Sequence, residues 1–363
     1  MKRTPLYDKQ QAAGGDFIEF AGYETPGNFG DCPLEYNAIR QATAMIDLSY
    51  RGRLEISGQD RIQFLQSISS NDIKAVNPGG GIENSFLTTM GKVVGYGRFY
   101  VNEESVFIDI DGDAIEATKA YLDKYLKLSR SEMKDVSEAI GHLSIQGPRA
   151  RQLVKSLAGI DLPSEPLQHI RTEIAGNTAM IAKVSHTGED GYDIFMDSDT
   201  LPAVWDLLVE KGREFEVRPA GFEALNTARV EAGIPIFGVD FDENNILVEA
   251  NLESAVSYTK GCYVGQEIIA RLHYRGHVAK RLALLEIDGE TRPIPGDKIF
   301  KGTKEVGQVT SAVKSPLLGK PLAFGLVKYE PSQIGTELGI DSSGFQLPAK
   351  VIAPPRSGKA DAP

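Results

Sequence analysis

Cysteine is almost missing from this chain. Its 363 residues include only Cys32 and Cys262, which excludes a disulfide-stapled scaffold and makes any metal site depend on ligands of other types. Histidine is nearly as scarce. The five histidines, at 142, 169, 186, 273 and 277, are scattered. Only the last pair is four apart, and Gly276 between them weakens a helix, so no zinc signature emerges and no metal is expected. No run approaches the roughly 18 apolar residues needed to span a bilayer. Met1-Lys2-Arg3-Thr4-Pro5 leads into polar sequence without the apolar stretch of a signal peptide. These features predict a cytoplasmic protein with no membrane partner. Positive charge is in deficit, 39 Lys plus Arg against 50 Asp plus Glu for a net −11. Such a chain repels phosphate backbones at long range, so no direct nucleic-acid partner is expected. Neither a nucleophile elbow, a phosphate-binding loop nor a dinucleotide fingerprint occurs, and Gly79-Gly80-Gly81 is followed by no convincing helix.

What the chain does contain is a patterned core. Hydrophobic residues make up 41% and charged residues 25%, ordinary values for a globular protein of two or three domains. Arg53 to Gly58 alternates like a half-buried strand, and a helix beginning near Asp60 turns Ile62, Phe64, Leu65 and Ile68 to one side. A hairpin-like stretch from Ser85 to Ile110 follows, then an amphipathic helix carrying Ile115, Leu122, Tyr125 and Leu126. From His142 the order recurs. A strand runs to Gln146 and Gly147, Pro148 suits the first turn of a helix with Leu153, Val154 and Leu157, a hairpin spans Thr178 to Met196, and Leu201, Val204, Trp205 and Leu208 share a helix face. Strand, helix, strand, strand, helix is the order of a split βαβ unit. The pattern predicts an α+β protein of two ferredoxin-like subdomains, about 46–140 and 141–277, within a 1–277 region. Beyond about 278, short strands at Leu282–Ile287, Gly307–Ser311 and Leu322–Val327, separated by Gly and Pro turns, predict a small C-terminal β-barrel or sandwich over 278–353. The Pro/Ser/Gly/Lys composition of 354–363 predicts a disordered tail.

The most unusual segment is Lys260-Gly261-Cys262-Tyr263-Val264-Gly265-Gln266-Glu267. If a helix starts near Tyr263, Cys262 sits at its positive end beside the Lys260 cation, and both influences favour a nucleophilic or metal-competent thiolate. The alternative is a small buried hydrophobe at a tight turn. Cys32, in a Gly30-Asp31-Cys32-Pro33 loop, reads as structural. Thr187 to Asp193 forms an acidic hairpin turn in which Asp193 stands where the strand resumes, a place from which a carboxylate can accept paired hydrogen bonds from a planar heterocycle. Arg271, His273, Arg275, His277, Lys280 and Arg281 form a cationic stretch, either a solvated face or a seat for an anionic ligand tail.

Several motifs together resemble a known family. Thr4-Pro5-Leu6-Tyr7-Asp8, Phe20 to Glu24, Asp47 to Gly52, Ile145-Gln146-Gly147-Pro148, Thr187 to Gly191 and Arg229-Val230-Glu231-Ala232-Gly233 are similar to the glycine-cleavage T-protein (aminomethyltransferase) superfamily, from about residue 4 to 353. Within it, the Lys260–Glu267 segment resembles the signature of the YgfZ-type folate-binding branch. The resemblance implies a three-lobed ring of two ferredoxin-like subdomains and a β-barrel around a pocket for tetrahydrofolate or a one-carbon derivative. It also implies a role supporting iron–sulfur cluster assembly or repair in enzymes, including tRNA-modifying ones, with iron–sulfur proteins or assembly factors as partners. Cys262 and Lys260 would carry the chemistry, and Asp193, Tyr96, Glu249, Gln266, Glu267, Arg271 and Arg275 would contact folate. The acidic pair of true aminomethyltransferases falls at Gly95 and Tyr96, their folate-contacting arginine at Leu225, and their pterin-contacting glutamate at Asp193. The expectation is therefore a protein that is not a competent aminomethyltransferase. The alternative, an aminomethyltransferase or related one-carbon transferase, needs a replacement carboxylate, for which Glu249, Asp190 and Glu267 are the candidates.

Overall fold

In the computed structural model, which describes residues 1–356, two sheets stand face to face with a barrel beside them. The first sheet has five strands in the order Gly81–Leu87, Val93–Val101, Ser105–Ile110, Gly52–Gly58 and Ser131–Asp135. Because side chains alternate along a strand, Leu54, Ile56, Phe86, Phe99 and Ile108 all point to one side. There they pack with Phe64, Leu65 and Leu122 of the Arg61–Ile68 and Ile115–Leu126 helices. The second sheet has six strands, ordered His169–Ile174, Asn177–Lys183, Gly191–Asp197, Ile140–Gln146, Thr43–Asp47 and Val217–Pro219. Its Leu143, Ile145, Ile181 and Ile194 pack under the Ala150–Ala158 and Leu201–Lys211 helices. Residues of the opposite parity meet between the sheets, where Tyr100 and Phe107 of the first cluster with Met180, Ala182, Val184 and Phe195 of the second.

The units interleave along the chain. Thr43–Asp47 precedes the first sheet yet pairs with Ile140–Gln146 of the second. Conversely, Phe237, Phe241, Leu247, Ile269 and Val278 follow the second sheet in sequence but complete the apolar core of the first. Local periodicity carries no information about such exchanges, because either sheet offers an equally apolar helical layer.

The C-terminal strands Lys280–Ile287, Lys320–Lys328, Lys304–Ser315, Lys298–Lys301, Glu337–Ser342 and Phe345–Ile352 close into a barrel, which leaves no unpaired sheet edge. The Phe222–Ala232 helix is its main attachment: Val230 is buried among Leu282, Leu284, Leu322 and Phe324. Gly233 ends that helix in the left-handed region (φ +77°), where a Cβ would lie 2.5 Å from Pro354 Cγ. Pro354 to Arg356, expected to be disordered, instead packs there, with the Arg356 amide donating to the Glu231 carbonyl at 3.1 Å. The rest of the predicted tail, 357–363, lies outside the described residues. No described helix is long and apolar enough to cross a membrane.

Candidate functional site

The faces that the two sheets turn toward each other are not wholly apolar. Alternation on Val93–Val101 directs Tyr96, Arg98 and Tyr100 inward, and register pairs Arg98 with Asp109 on the next strand. Arg51 donates from Nε to Asp109 Oδ1 at 2.8 Å and from Nη1 to Asp111, while Arg98 Nη1 lies 3.2 Å from Asp109 Oδ2. Burial alone would raise the Asp109 carboxyl, but the Arg51 guanidinium, aided by Arg98, outweighs it and holds the group below its usual range. Across the gap, Asp193 sits between Ser144 and Ala182 in the second sheet. His186 Nε2 is 2.9 Å from Asp193 Oδ2, and His142 Nε2 is 3.1 Å from the same oxygen. His142 packs against Phe195, with ring centroids 4.2 Å apart and planes tilted by 36°, and turns its Nδ1 toward Asp109 Oδ1, 3.7 Å away. Burial opposes ionisation of Asp193, yet His186 and His142 hold it well below the carboxylate range, and burial lowers His186. Asp193 thus occupies the expected strand position but is sealed between the sheets with no exposed surface. An acceptor so enclosed offers no open edge to a pterin.

Tyr96 stands at one end of this inward face. Its hydroxyl donates to Glu83 Oε1 at 2.9 Å, and the Ser254 hydroxyl donates to Glu83 Oε2. Burial, reinforced by Glu83, pushes the Tyr96 phenol well above its ordinary value, so it remains a donor. Glu83 is half-buried and comes from the adjacent strand, two residues along the register from the Ser85–Tyr96 pair. Glu83 lies outside the 95–96 pair that the sequence pattern singles out, although the antiparallel hairpin and the parity of Glu83 and Tyr96 together point to it.

The three nominated replacement carboxylates are engaged elsewhere. Glu249 Oε2 accepts from Asn245 Nδ2 (3.0 Å) and the Ile246 amide (3.1 Å), capping the Leu247–Ala250 turn. Asp190 pairs with Lys183 and accepts from the Gly191 amide at 3.1 Å. Glu267 lies on the exposed face of the Gln266–Arg275 helix, 2.8 Å from Arg271, with Arg275 exposed one turn further on and Gln266 half-buried at the start. That helix begins three residues later than expected, after Gly265 in the left-handed region (φ +86°), where a Cβ would meet the Thr88 carbonyl at 2.7 Å. Cys262 is therefore exposed in the preceding loop and not at the helix's positive end. Lys260 does not serve the thiol either: its ammonium donates to the Ser69 and Asn71 carbonyls, both at 2.8 Å, beyond the C-terminal end of the Arg61–Ile68 helix. Burial lowers that ammonium to about 8. Leu225 is buried in an apolar cluster with Tyr36, Ile39 and Ile46.

Comparison with known proteins accounts for the shared architecture. Residues 6–260 match the GCVT N-terminal domain, and residues 280–356 match the glycine cleavage T-protein C-terminal barrel domain. The chain is 30% identical to the aminomethyltransferase of Bacillus subtilis, covering 98% of this chain and 99% of that protein. It is 28% identical to the aminomethyltransferase of Alkaliphilus oremlandii, over 97% and 96% of the two. In fold it resembles the glycine cleavage system aminomethyltransferase T of Bartonella henselae, with a TM-score of 0.90, 22% identity and coverage of 99% and 98%. These full-length relatives overturn the expectation of a YgfZ-like iron–sulfur helper that rested on the Lys260–Glu267 segment. That segment is engaged in packing, with Lys260 bound to main-chain carbonyls and Gly265 against the 88–91 turn. By the matched domains and the relatives alike, the chain belongs to the glycine cleavage T-protein family.

Proposed function

We propose that this protein is a folate-dependent one-carbon transferase of the aminomethyltransferase type. Full-length likeness to proteins of that name supports the reading, and the pairing of Glu83 with Tyr96 carries it. Moving the methylene of an aminomethyl thioether onto two folate nitrogens breaks its C–N and C–S bonds, releases ammonia and the thiol, and requires a group that holds and passes a proton as the bonds change. Gly95 and Tyr96 supply no carboxylate themselves, but Glu83 delivers one to the Tyr96 hydroxyl from the neighbouring strand. Its two oxygens accept from neutral donors, Tyr96 and Ser254, and among the described residues no cation pairs with it to cancel the charge a base needs.

Tetrahydrofolate would supply the nitrogens that accept the carbon. Glu83 and Tyr96, with Phe241 packed 6.2 Å from the tyrosine ring, form the polar and aromatic end suited to such a heterocycle. Arg271 and Arg275 are the exposed cations suited to its anionic tail. Enclosed Asp193 is given no folate contact. The test is tetrahydrofolate-dependent release of ammonia from an aminomethyl-lipoyl carrier protein. Turnover is expected for the wild type, and Glu83→Gln should lower kcat by about 10²–10⁴-fold with KM little changed. Absence of folate-dependent turnover in the wild type would overturn the proposal, and full activity of Glu83→Gln would remove Glu83 from it.

A further inference from the structure

The geometry points to a second ligand: we infer that His142, His186 and Asp193 bind a divalent transition-metal ion between the sheets. Their donor atoms converge from the Ile140–Gln146 strand, the 184–190 loop and the Gly191–Asp197 strand. The two Nε2–Oδ2 separations are 3.1 and 2.9 Å. All the donor atoms lie within 4.8 Å of one another; ligands bound at about 2.1 Å and meeting near the tetrahedral angle stand about 3.4 Å apart, so small side-chain rotations would bring the three onto one ion.

Among the described residues, His186 Nε2 bonds both Asp193 oxygens, at 3.1 and 2.9 Å, a contact the ion would replace, while His142 is left incomplete. His142 is fully buried, and although its Nε2 is near Asp193, neither ring nitrogen makes a hydrogen bond of acceptable direction. The Tyr100 hydroxyl, on the same inward face, is also buried without a partner. Unpartnered polar atoms at such depth are costly, and a cation bound at Nε2 satisfies one of the two His142 nitrogens. A metal-ligating histidine turns its second nitrogen toward a carboxylate, and here that approach is 3.7 Å, not yet a hydrogen bond. His142 Nδ1 faces Asp109, which Arg51 and Arg98 hold in place, and Phe195 fixes the ring plane. The His186 amide donates to Gln146 Oε1 at 3.0 Å, anchoring the loop that carries the second imidazole.

Charge permits the ion. Arg51 and Arg98 face Asp109, Asp111 and Asp193, an excess of one negative charge that a divalent cation reverses to one positive. Two imidazoles and one carboxylate favour zinc, ferrous or cobaltous ions over magnesium or calcium. Three protein ligands leave at least one coordination position for water or a small molecule. With the ligands on one sheet and Asp109 on the other, the ion would also clamp the two sheets together.

Cobalt(II) titration of chelator-treated protein tests this by visible ligand-field absorption. One equivalent should bind and be displaced by zinc, and zinc should raise the thermal midpoint. His142→Ala and His186→Ala should each abolish the absorption, Asp109→Asn should weaken cobalt binding by about 10–100-fold, and the His273→Ala/His277→Ala double variant should keep it. Failure of the wild type to take up a stoichiometric ion overturns the inference whether or not the variants fold. So does uptake that survives His142→Ala and His186→Ala.

Discussion

Replacing Arg229 with methionine should detach the barrel before the rest of the protein unfolds. The Arg229 guanidinium is 2% exposed and makes four contacts: Asp240 Oδ2 at 2.6 Å, Ser311 Oγ and Asn226 Oδ1 at 2.9 Å, and the Ile234 carbonyl at 3.0 Å. Asp240 is also buried and accepts from the Ser311 and Thr310 hydroxyls of the barrel. Arg229→Met keeps much of the packing against Phe324 but leaves the Asp240 charge uncompensated, at a cost of about 3–5 kcal/mol. Asp240→Asn strands Arg229 at a similar cost of about 3–5 kcal/mol. The double variant removes both charges, so it should be more stable than the summed losses predict, with a coupling of about 2 kcal/mol. Urea unfolding followed by circular dichroism reports the whole chain. Trp205 fluorescence reports the core of the second sheet, where that residue is buried. The two transitions coincide for a cooperative unit and should separate in the single variants, with the fluorescence change later. Additive losses in the double variant, or single losses below about 1 kcal/mol, would refute the claim that a desolvated ion pair holds this joint.

Two titratable groups give further tests. His169 is buried, its Nδ1 lacks a partner and its Nε2 is 3.2 Å from Asn102 Oδ1, so burial, with Arg171 adding to it, lowers its pKa to about 4. Below about pH 6.5 the unfolded chain takes up a proton that the folded chain refuses, so stability falls with pH until the folded imidazole also titrates. The wild type should lose about 2 kcal/mol more than His169→Gln between pH 7 and pH 5 in urea titrations; equal losses would show that His169 is not held neutral. The second test uses the thiols. Burial, followed by the hydrogen bond to Glu223 at 3.1 Å, pushes Cys32 up to about 12, whereas Cys262 is exposed. An aromatic disulfide reagent at pH 8 should label one thiol quickly, and Cys262→Ser should abolish that phase. Rapid labelling of Cys32 would contradict its assigned environment.

Much of the architecture could be read without coordinates because strands and helices advertise their period locally. Leu54 and Ile56 alternate, Leu153 and Val154 share a helix face, and the glycine-punctuated strands after 278 behave as a barrel. Such signals depend on neighbours a few residues apart, so they reveal which faces are apolar but not which partner covers them. Thr43–Asp47 crossing to the second sheet and Phe237 returning to the first are choices between equivalent apolar surfaces. The functional groups lie on the far side of that divide. Glu83 and Tyr96 meet through hairpin register, and His142 and Asp193 meet because two strands run side by side, with His186 reaching them from the adjoining loop. The conspicuous Lys260–Glu267 motif shows the reverse. The order of residues predicts a tuned thiol, yet folding delivers the lysine charge to two carbonyls and leaves Cys262 in an exposed loop. Residue type states what a side chain can do; which charge, lone pair or surface it meets depends on contacts between distant segments, and those exist only once the sheets have packed.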